Sequence, residues 1–236
     1  LLYFTQHLGD GLSYLLIFGL YFLISMDASS KKIELDNIGQ YVRDCSGCKL
    51  TKTRKNAVPG VGDYETKIMF IGEAPGANED EKGIPFCGAA GKFLDEMLVS
   101  IGLDRSKVFI TNVVKCRPPE NRDPEDDEKV ACRPYLEKQI ALISPEIIVC
   151  LGRHAAASLL PGQPSISQIH GKALKRPNGI VYLPLYHPAA ALHNGGLRQT
   201  LIDDFSKITG ILKKIEEENK NKKEDEQDQF KQEKLI

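Results

Sequence analysis

The sequence predicts an α/β protein: a three-layer α/β/α sandwich around a central, mostly parallel sheet. Two observations predict it. Short apolar, β-rich runs alternate with helical stretches along the middle of the chain, and such alternation implies parallel strands with helices on both faces. A length of 236 residues, with 42% hydrophobic and 27% charged content, suits one domain with appendages and a sizeable core.

Taken in order, the run 67–72 is the first strand and a helix follows over 91–101. The run 108–112 is the second strand, and 125–143 is a second helix. The run 147–151, a short helix over 154–160, a strand over 180–185 and a closing amphipathic helix over 197–215 complete the pattern. No internal repeat is visible. In such sheets, ligands bind outside the carboxyl ends of the strands.

The ends of the chain differ in composition from this middle. Residues 1–30 hold two acids and no Lys or Arg, and residues 11–26 are uncharged, short of the ~20 residues that span a bilayer. Met26-Asp27-Ala28-Ser29-Ser30 is a more ordinary start than Leu1, so Met26 is the expected natural initiator. A membrane anchor or interfacial helix is the competing reading, weakened by the lack of basic flanks. Residues 213–236 carry eight acids, seven bases and one aromatic, Phe230, and are expected to form a charged tail unable to fold alone. Residues 31–212 remain as the domain, with 24 bases against 22 acids. Bulk charge therefore announces no nucleic-acid binder, and any DNA contact must come from a local basic surface.

Three strand candidates run directly into unusual polar segments. The first ends in Gly72-Glu73-Ala74-Pro75-Gly76, the second in Asn112 ahead of Lys115-Cys116-Arg117-Pro118-Pro119, the fourth in Tyr186-His187-Pro188-Ala189-Ala190. A carboxylate, an amide and an imidazole then converge on one sheet edge, and that coincidence outweighs the ordinary reading of each as a solvated loop residue. Gly72 and Gly76, with rigid Pro75 between them, let the backbone approach a ligand and turn N–H groups inward. No Gly-Lys-Ser/Thr follows and G-x-G-x-x-G is absent, so nucleoside triphosphate binding has no support. Residues 77–85 bring an acidic stretch that includes Glu79. Beyond it, Phe86, set between Pro85 and Gly88, offers either a core side chain or a flat face for stacking a base, worth ~1–3 kcal/mol.

Six cysteines without a basic secretory leader point to a reducing compartment, where clustered thiols read as metal ligands rather than disulfides. Cys45-Ser46-Gly47-Cys48 and the pair Cys116 and Cys132 supply four thiolates, which fit a structural zinc or a [4Fe–4S] cluster equally well by spacing. Cys87 and Cys150 read as spare apolar residues. Lys49, Lys52, Arg54 and Lys55 follow the first pair, while Lys115, Arg117, Arg122 and Arg133 surround the second, an expected phosphate-contacting face.

These residues together resemble the iron–sulfur, type-4 uracil-DNA glycosylases. The resemblance runs from about residue 42 to residue 205. It rests on Gly72-Glu73-Ala74-Pro75-Gly76, on Gly83-Ile84-Pro85-Phe86, on Thr111-Asn112-Val113-Val114-Lys115-Cys116-Arg117-Pro118-Pro119, on His187-Pro188 and on the cysteine spacing. It implies a [4Fe–4S] cluster on Cys45, Cys48, Cys116 and Cys132, and uracil contacts from Glu73, Ala74, Pro75, Glu79, Phe86, Asn112 and His187. It also implies a monomer acting in the cytoplasm on uracil-containing DNA, single- and double-stranded, with no membrane association. Phe86 would stack on a flipped-out uracil, Asn112 would face its Watson–Crick edge, and His187 would donate to O2 as the base leaves. Three positions depart from related patterns. Ala189 stands where the family often has Ser, and Ala74 stands where other uracil-DNA glycosylases carry a water-positioning Asp. Gly76 stands where those carry a thymine-excluding Tyr. Glu73 is therefore expected to place the water or to bind uracil, with backbone and leaving-group stabilisation carrying more of the rate, and thymine exclusion is expected to pass to Glu79.

Overall fold

The computed structural model describes residues 27–233. The apolar segment before residue 27, and with it the question of initiation at Met26, lies outside the described residues. Six strands, β1 (Val61–Gly62), β2 (Ile68–Gly72), β3 (Phe109–Asn112), β4 (Ile147–Leu151), β5 (Leu174–Lys175) and β6 (Val181–Leu185), form one sheet in the order β1-β3-β2-β4-β6-β5. The inner four run parallel, and the two-residue edge strands β1 and β5 pair antiparallel. Every residue of β2, β3, β4 and β6 is buried, which is why these strands read as continuous apolar runs rather than as alternating ones.

Alternate side chains of the strands enter two separate cores. Met69, Ile71, Phe109, Ile148, Cys150 and Tyr182 face the helices α1 (Ala28–Asp44), α4 (Asp126–Ile143) and α5 (Arg153–Leu159), through Leu35, Ile38, Leu136, Ile143 and Ala155. Phe70, Ile110, Val149, Leu183 and Leu185 face α3 (Ala89–Ser100) and α8 (Gly196–Glu233), where Phe93, Leu94, Met97, Leu201 and Phe205 close the layer. The Phe70 and Phe205 rings stack with centroids 5.5 Å apart. The three-layer sandwich is thus formed as the sequence predicts. Between these elements lie three short helices, α2 (Ala77–Lys82), α6 (Ile166–Ile169) and α7 (Pro188–His193).

Helix α1 is an element the strand-and-helix pattern did not include. Asp27 caps it by accepting from Ser30 N–H at 2.7 Å, and Leu35, Ile38, Gly39 and Val42 make its buried stripe against α4. It delivers Cys45 to the core edge. Helix α8 continues well beyond residue 215, through the charged segment to Glu233, and ion pairs Lys67–Glu216 (2.7 Å) and Lys175–Glu218 (2.6 Å) lay its middle along the domain. No helix among the described residues is long and apolar enough to cross a membrane.

Sheet register brings four chain segments to a single edge. Gly72 lies beside Asn112, and Leu151 beside Leu185, so the segments beginning at Glu73, Val113, Gly152 and Tyr186 leave that edge together. Beyond the last strand pair, Val113 N–H donates to Gly72 O and Val114 N–H to Glu73 O, both at 2.9 Å, which holds the first two segments side by side.

Candidate active site

The polar segments singled out in the sequence meet at this edge. Asn112 is buried at the end of β3, and its amide oxygen occupies the space a side chain on Gly72 would need. A Cβ on Gly72 would also come within 2.7 Å of Phe86 Cζ, so glycine at the end of β2 is what lets Asn112 and Phe86 approach each other.

Phe86 is buried, with its backbone at φ +51°, a left-handed conformation that costs a non-glycine residue ~1–3 kcal/mol. Arg105 holds it there. Its guanidinium donates to Phe86 O and, at 2.9 Å, to Pro85 O, while pairing with Asp95 at 2.6 Å. The Phe86 ring lies 5.5 Å from the imidazole of His187 at an interplanar angle of 26°. His187 in turn caps α7: its Nδ1 accepts from Ala189 N–H at 3.1 Å, which places the ring proton on Nε2. Burial holds this imidazole down at about 4, so the ring is a neutral N–H donor at physiological pH.

Glu79 sits on α2 with both carboxylate oxygens engaged. Oε2 accepts from Gly76 N–H at 3.1 Å, and Oε1 from Cys87 and Gly88 N–H at 2.9 and 3.0 Å. The side chain predicted to touch uracil is therefore also the brace that joins the Gly72–Gly76 loop to the Phe86 loop. Pro75 is buried and Ala74 half-buried against the core on the α4 side.

Glu73 has a different environment. Its Oε1 is buried with no hydrogen-bond partner among the described residues, and burial, with Asp123 nearby, pushes its carboxyl up to about 7. His154 Nδ1 lies 3.8 Å from that oxygen and His154 Nε2 lies 3.2 Å from Asp123. Arg153 Nε donates to His154 Nε2 at 2.7 Å. Arg153, His154 and Asp123 were missed in the sequence, although Gly152-Arg153-His154 leaves β4 at the same edge as the other segments and the same rule selects it.

The four predicted thiols also come together. Cys45, Cys48, Cys116 and Cys132 line one small cavity with Tyr135, and all six cysteines are free. Burial pushes Cys132 up to about 11 and Cys116 above the usual thiol range. Against this, Arg54 Nη1 donates to Cys116 Sγ at 2.9 Å, while its other donors hold Cys45 O and Arg43 O. A cation on a thiol favours the thiolate a metal requires.

The predicted phosphate-contacting face needs correction. Lys115 is fully buried and Arg54 turns into the cysteine cavity, so neither ammonium nor guanidinium is presented to a DNA strand. Lys49, Lys55, Arg122 and Arg133 stay at the surface, each in an ion pair, with Glu125, Glu81, Glu128 and Glu137 respectively. Lys115 and Arg54 are turned inward by partners distant in the sequence, Gln139 and Cys116, which spacing along the chain did not reveal.

Comparison with known proteins agrees with the geometry. Residues 59–208 match the family described as the Uracil DNA glycosylase superfamily. A type-4 uracil-DNA glycosylase of Sulfurisphaera tokodaii is 52% identical over 74% of this chain and 83% of its own length, and one of Saccharolobus solfataricus is 52% identical over 75% and 86%. Another, from Thermotoga maritima, is 39% identical over 76% of this chain and 95% of its own. The chain belongs to the uracil-DNA glycosylase superfamily, among its type-4 members.

Proposed function

We propose that this protein excises uracil from DNA by hydrolysing the N-glycosidic bond, releasing free uracil and leaving an abasic site. The observation that carries this reading is the convergence of Phe86, Asn112 and a neutral, Nε2-protonated His187 at one sheet edge. A base within a duplex is inaccessible to such a pocket, so the nucleotide is rotated out of the stack at a cost of a few kcal/mol. Phe86 then stacks on the ring and the Asn112 amide meets its Watson–Crick edge. As the N1–C1′ bond breaks, its electron pair leaves with uracil, and His187 donates a hydrogen bond to the charge growing on O2. Water adds to the oxocarbenium-like C1′, forming its hydroxyl, and the proton it gives up neutralises the uracil anion. A donor preorganised in this way is worth ~3 kcal/mol.

Glu73 places the water or holds the base. Its unpartnered, buried oxygen supports that role, and its carboxylate form is available above about pH 7. Thymine exclusion passes to Glu79 in this reading, supported by its place beside Gly76, where a Cβ would stand 2.8 Å from Glu79 Oε2.

A [4Fe–4S] cluster on Cys45, Cys48, Cys116 and Cys132 fits the donor set, four free thiols around one cavity with a guanidinium on one sulfur. When bound, the cluster supplies a cross-link between the start of the domain and α4 and takes no part in the hydrolysis. In this reading residues 31–212 are the glycosylase unit, acting as a monomer on single- and double-stranded DNA in the cytoplasm, with 213–236 as a charged appendage.

The test is release of free uracil from a uracil-containing oligonucleotide, with an alkali-labile site left in the strand on a denaturing gel. A thymine-only strand is the control. Retention of the strand without release, or covalent capture of it, would replace hydrolysis with lesion binding.

A further inference from the structure

Beneath the pocket lies a buried polar network that the proposed excision chemistry does not use. Lys115 is 1% exposed, and its ammonium folds back under the end of β3. It donates to Asn112 O at 2.8 Å, to Thr111 Oγ1 at 2.6 Å and to Gln139 Oε1 at 2.7 Å. Further bonds fix the direction of each of these. Thr111 Oγ1 donates to Pro59 O at 2.9 Å, and Gln139 Nε2 donates to the same carbonyl at 2.8 Å. Both partners therefore turn acceptors toward Lys115. Burial pushes Lys115 down to about 7, and three acceptors meet the three N–H groups of its protonated form, a complete match.

An apolar side chain would fill this space at lower cost, because a charge taken out of water is costly to bury and a satisfied network offsets that only through its geometry. What the ammonium adds is direction. It pins the main chain of Asn112 to α4, the helix that carries Cys132, and its own main chain is fixed by Lys115 N–H on Cys132 Sγ (3.2 Å) and Val58 N–H on Lys115 O (2.8 Å).

We propose that Lys115 is a positioning residue that aims the Asn112 amide into the uracil pocket by clamping the Asn112 carbonyl, and so couples the cysteine cavity to base reading. The role rests on the proposed excision activity. It predicts a loss in the chemical step rather than in DNA binding, since displacing a reacting contact by about 1 Å costs ~10²-fold.

The experiment compares the full chain, loaded as purified, with Lys115→Met and with Lys115→Met/Gln139→Leu. The double variant removes the Gln139 amide that the single variant strands, so it restores packing without restoring the clamp. Three quantities are followed: the Asn112 side-chain amide resonances by ¹⁵N NMR, kcat and KM on a uracil oligonucleotide, and the thermal midpoint. In both variants the Asn112 resonances shift or broaden and kcat falls ~10²-fold with KM nearly unchanged. In the double variant the thermal midpoint returns and kcat does not. Parental Asn112 resonances in the double variant, or kcat recovering in step with the thermal midpoint, would overturn the proposal and leave Lys115 a structural residue only. If Lys115→Met does not fold, the double variant decides alone. If the parent chain releases no uracil, the activity reading fails, and the Asn112 resonances still decide the role of Lys115.

Discussion

The two flanks of the cleft are built on opposite principles. On one, Phe86, Asn112 and His187 are held by groups already committed: Arg105 on the Phe86 loop, Gly72 leaving room for Asn112, and the Ala189 N–H on His187. On the other, Glu73 keeps a buried oxygen without a partner, facing His154 at 3.8 Å. Burial drives both titratable groups toward neutrality, but to different places. His187 is held at about 4 and Glu73 at about 7. The first flank cannot change charge near neutral pH, and the second does so there. The difference separates a flank of fixed charge from one whose charge pH controls.

The largest effect expected is on the fixed flank. His187→Ala removes a preorganised donor and lowers kcat by ~10²–10³-fold in single-turnover uracil release. A loss of less than tenfold would mean that the donor lies elsewhere and that the flanks share the work. Next in size is Asn112→Asp, which replaces an N–H donor with a charge and costs about 1–3 kcal/mol of the preference for uracil over cytosine, read from parallel excision assays on the two bases.

Titration of the second flank gives a smaller signal. If the Glu73 carboxylate is the working form, kcat rises as pH passes about 7, and Glu73→Gln flattens that limb while leaving no new limb from His187 above about pH 4. A limb that persists in Glu73→Gln would show that Glu73 is not the group that titrates.

The smallest effect is on stability, and its sign differs between the flanks. Glu73 is raised on folding, so its contribution is present below its ordinary value and lost as pH rises through about 7. His187 is lowered, so its contribution is present above its ordinary value and lost as pH falls toward about 4. The thermal midpoint of Glu73→Gln should therefore gain on the parent as pH rises from the ordinary carboxyl value toward about 7, and that of His187→Gln should gain as pH falls from its ordinary value toward about 4.

The fixed flank was also the more legible one in the sequence. Strands β2, β3, β4 and β6 are buried on both faces, so their apolar runs stood out, and the residues leaving β2, β3 and β6 were found by position alone. Helix α1 was not found, because its stripe of Leu35, Ile38 and Val42 is diluted by polar residues on the other faces. The short helix α2 read as an acidic loop, since only Asp80 of its six residues is buried. The pairing of Glu79 with three backbone amides is a tertiary fact that no side-chain pattern announces. Lys115 misled for the same reason: a lysine beside Arg117 reads as a surface base, and only the closed set of Thr111, Gln139 and Asn112 acceptors makes it a core residue.

The cap on α7 sets which changes the last motif tolerates. The proton on His187 is placed by the main chain of residue 189, not by its side chain. Serine and alanine at 189 are thus interchangeable as far as the tautomer of the imidazole is concerned. Proline is the substitution excluded there, since it alone removes the N–H. Ala189→Ser is in consequence a change at this motif that leaves the proton on Nε2.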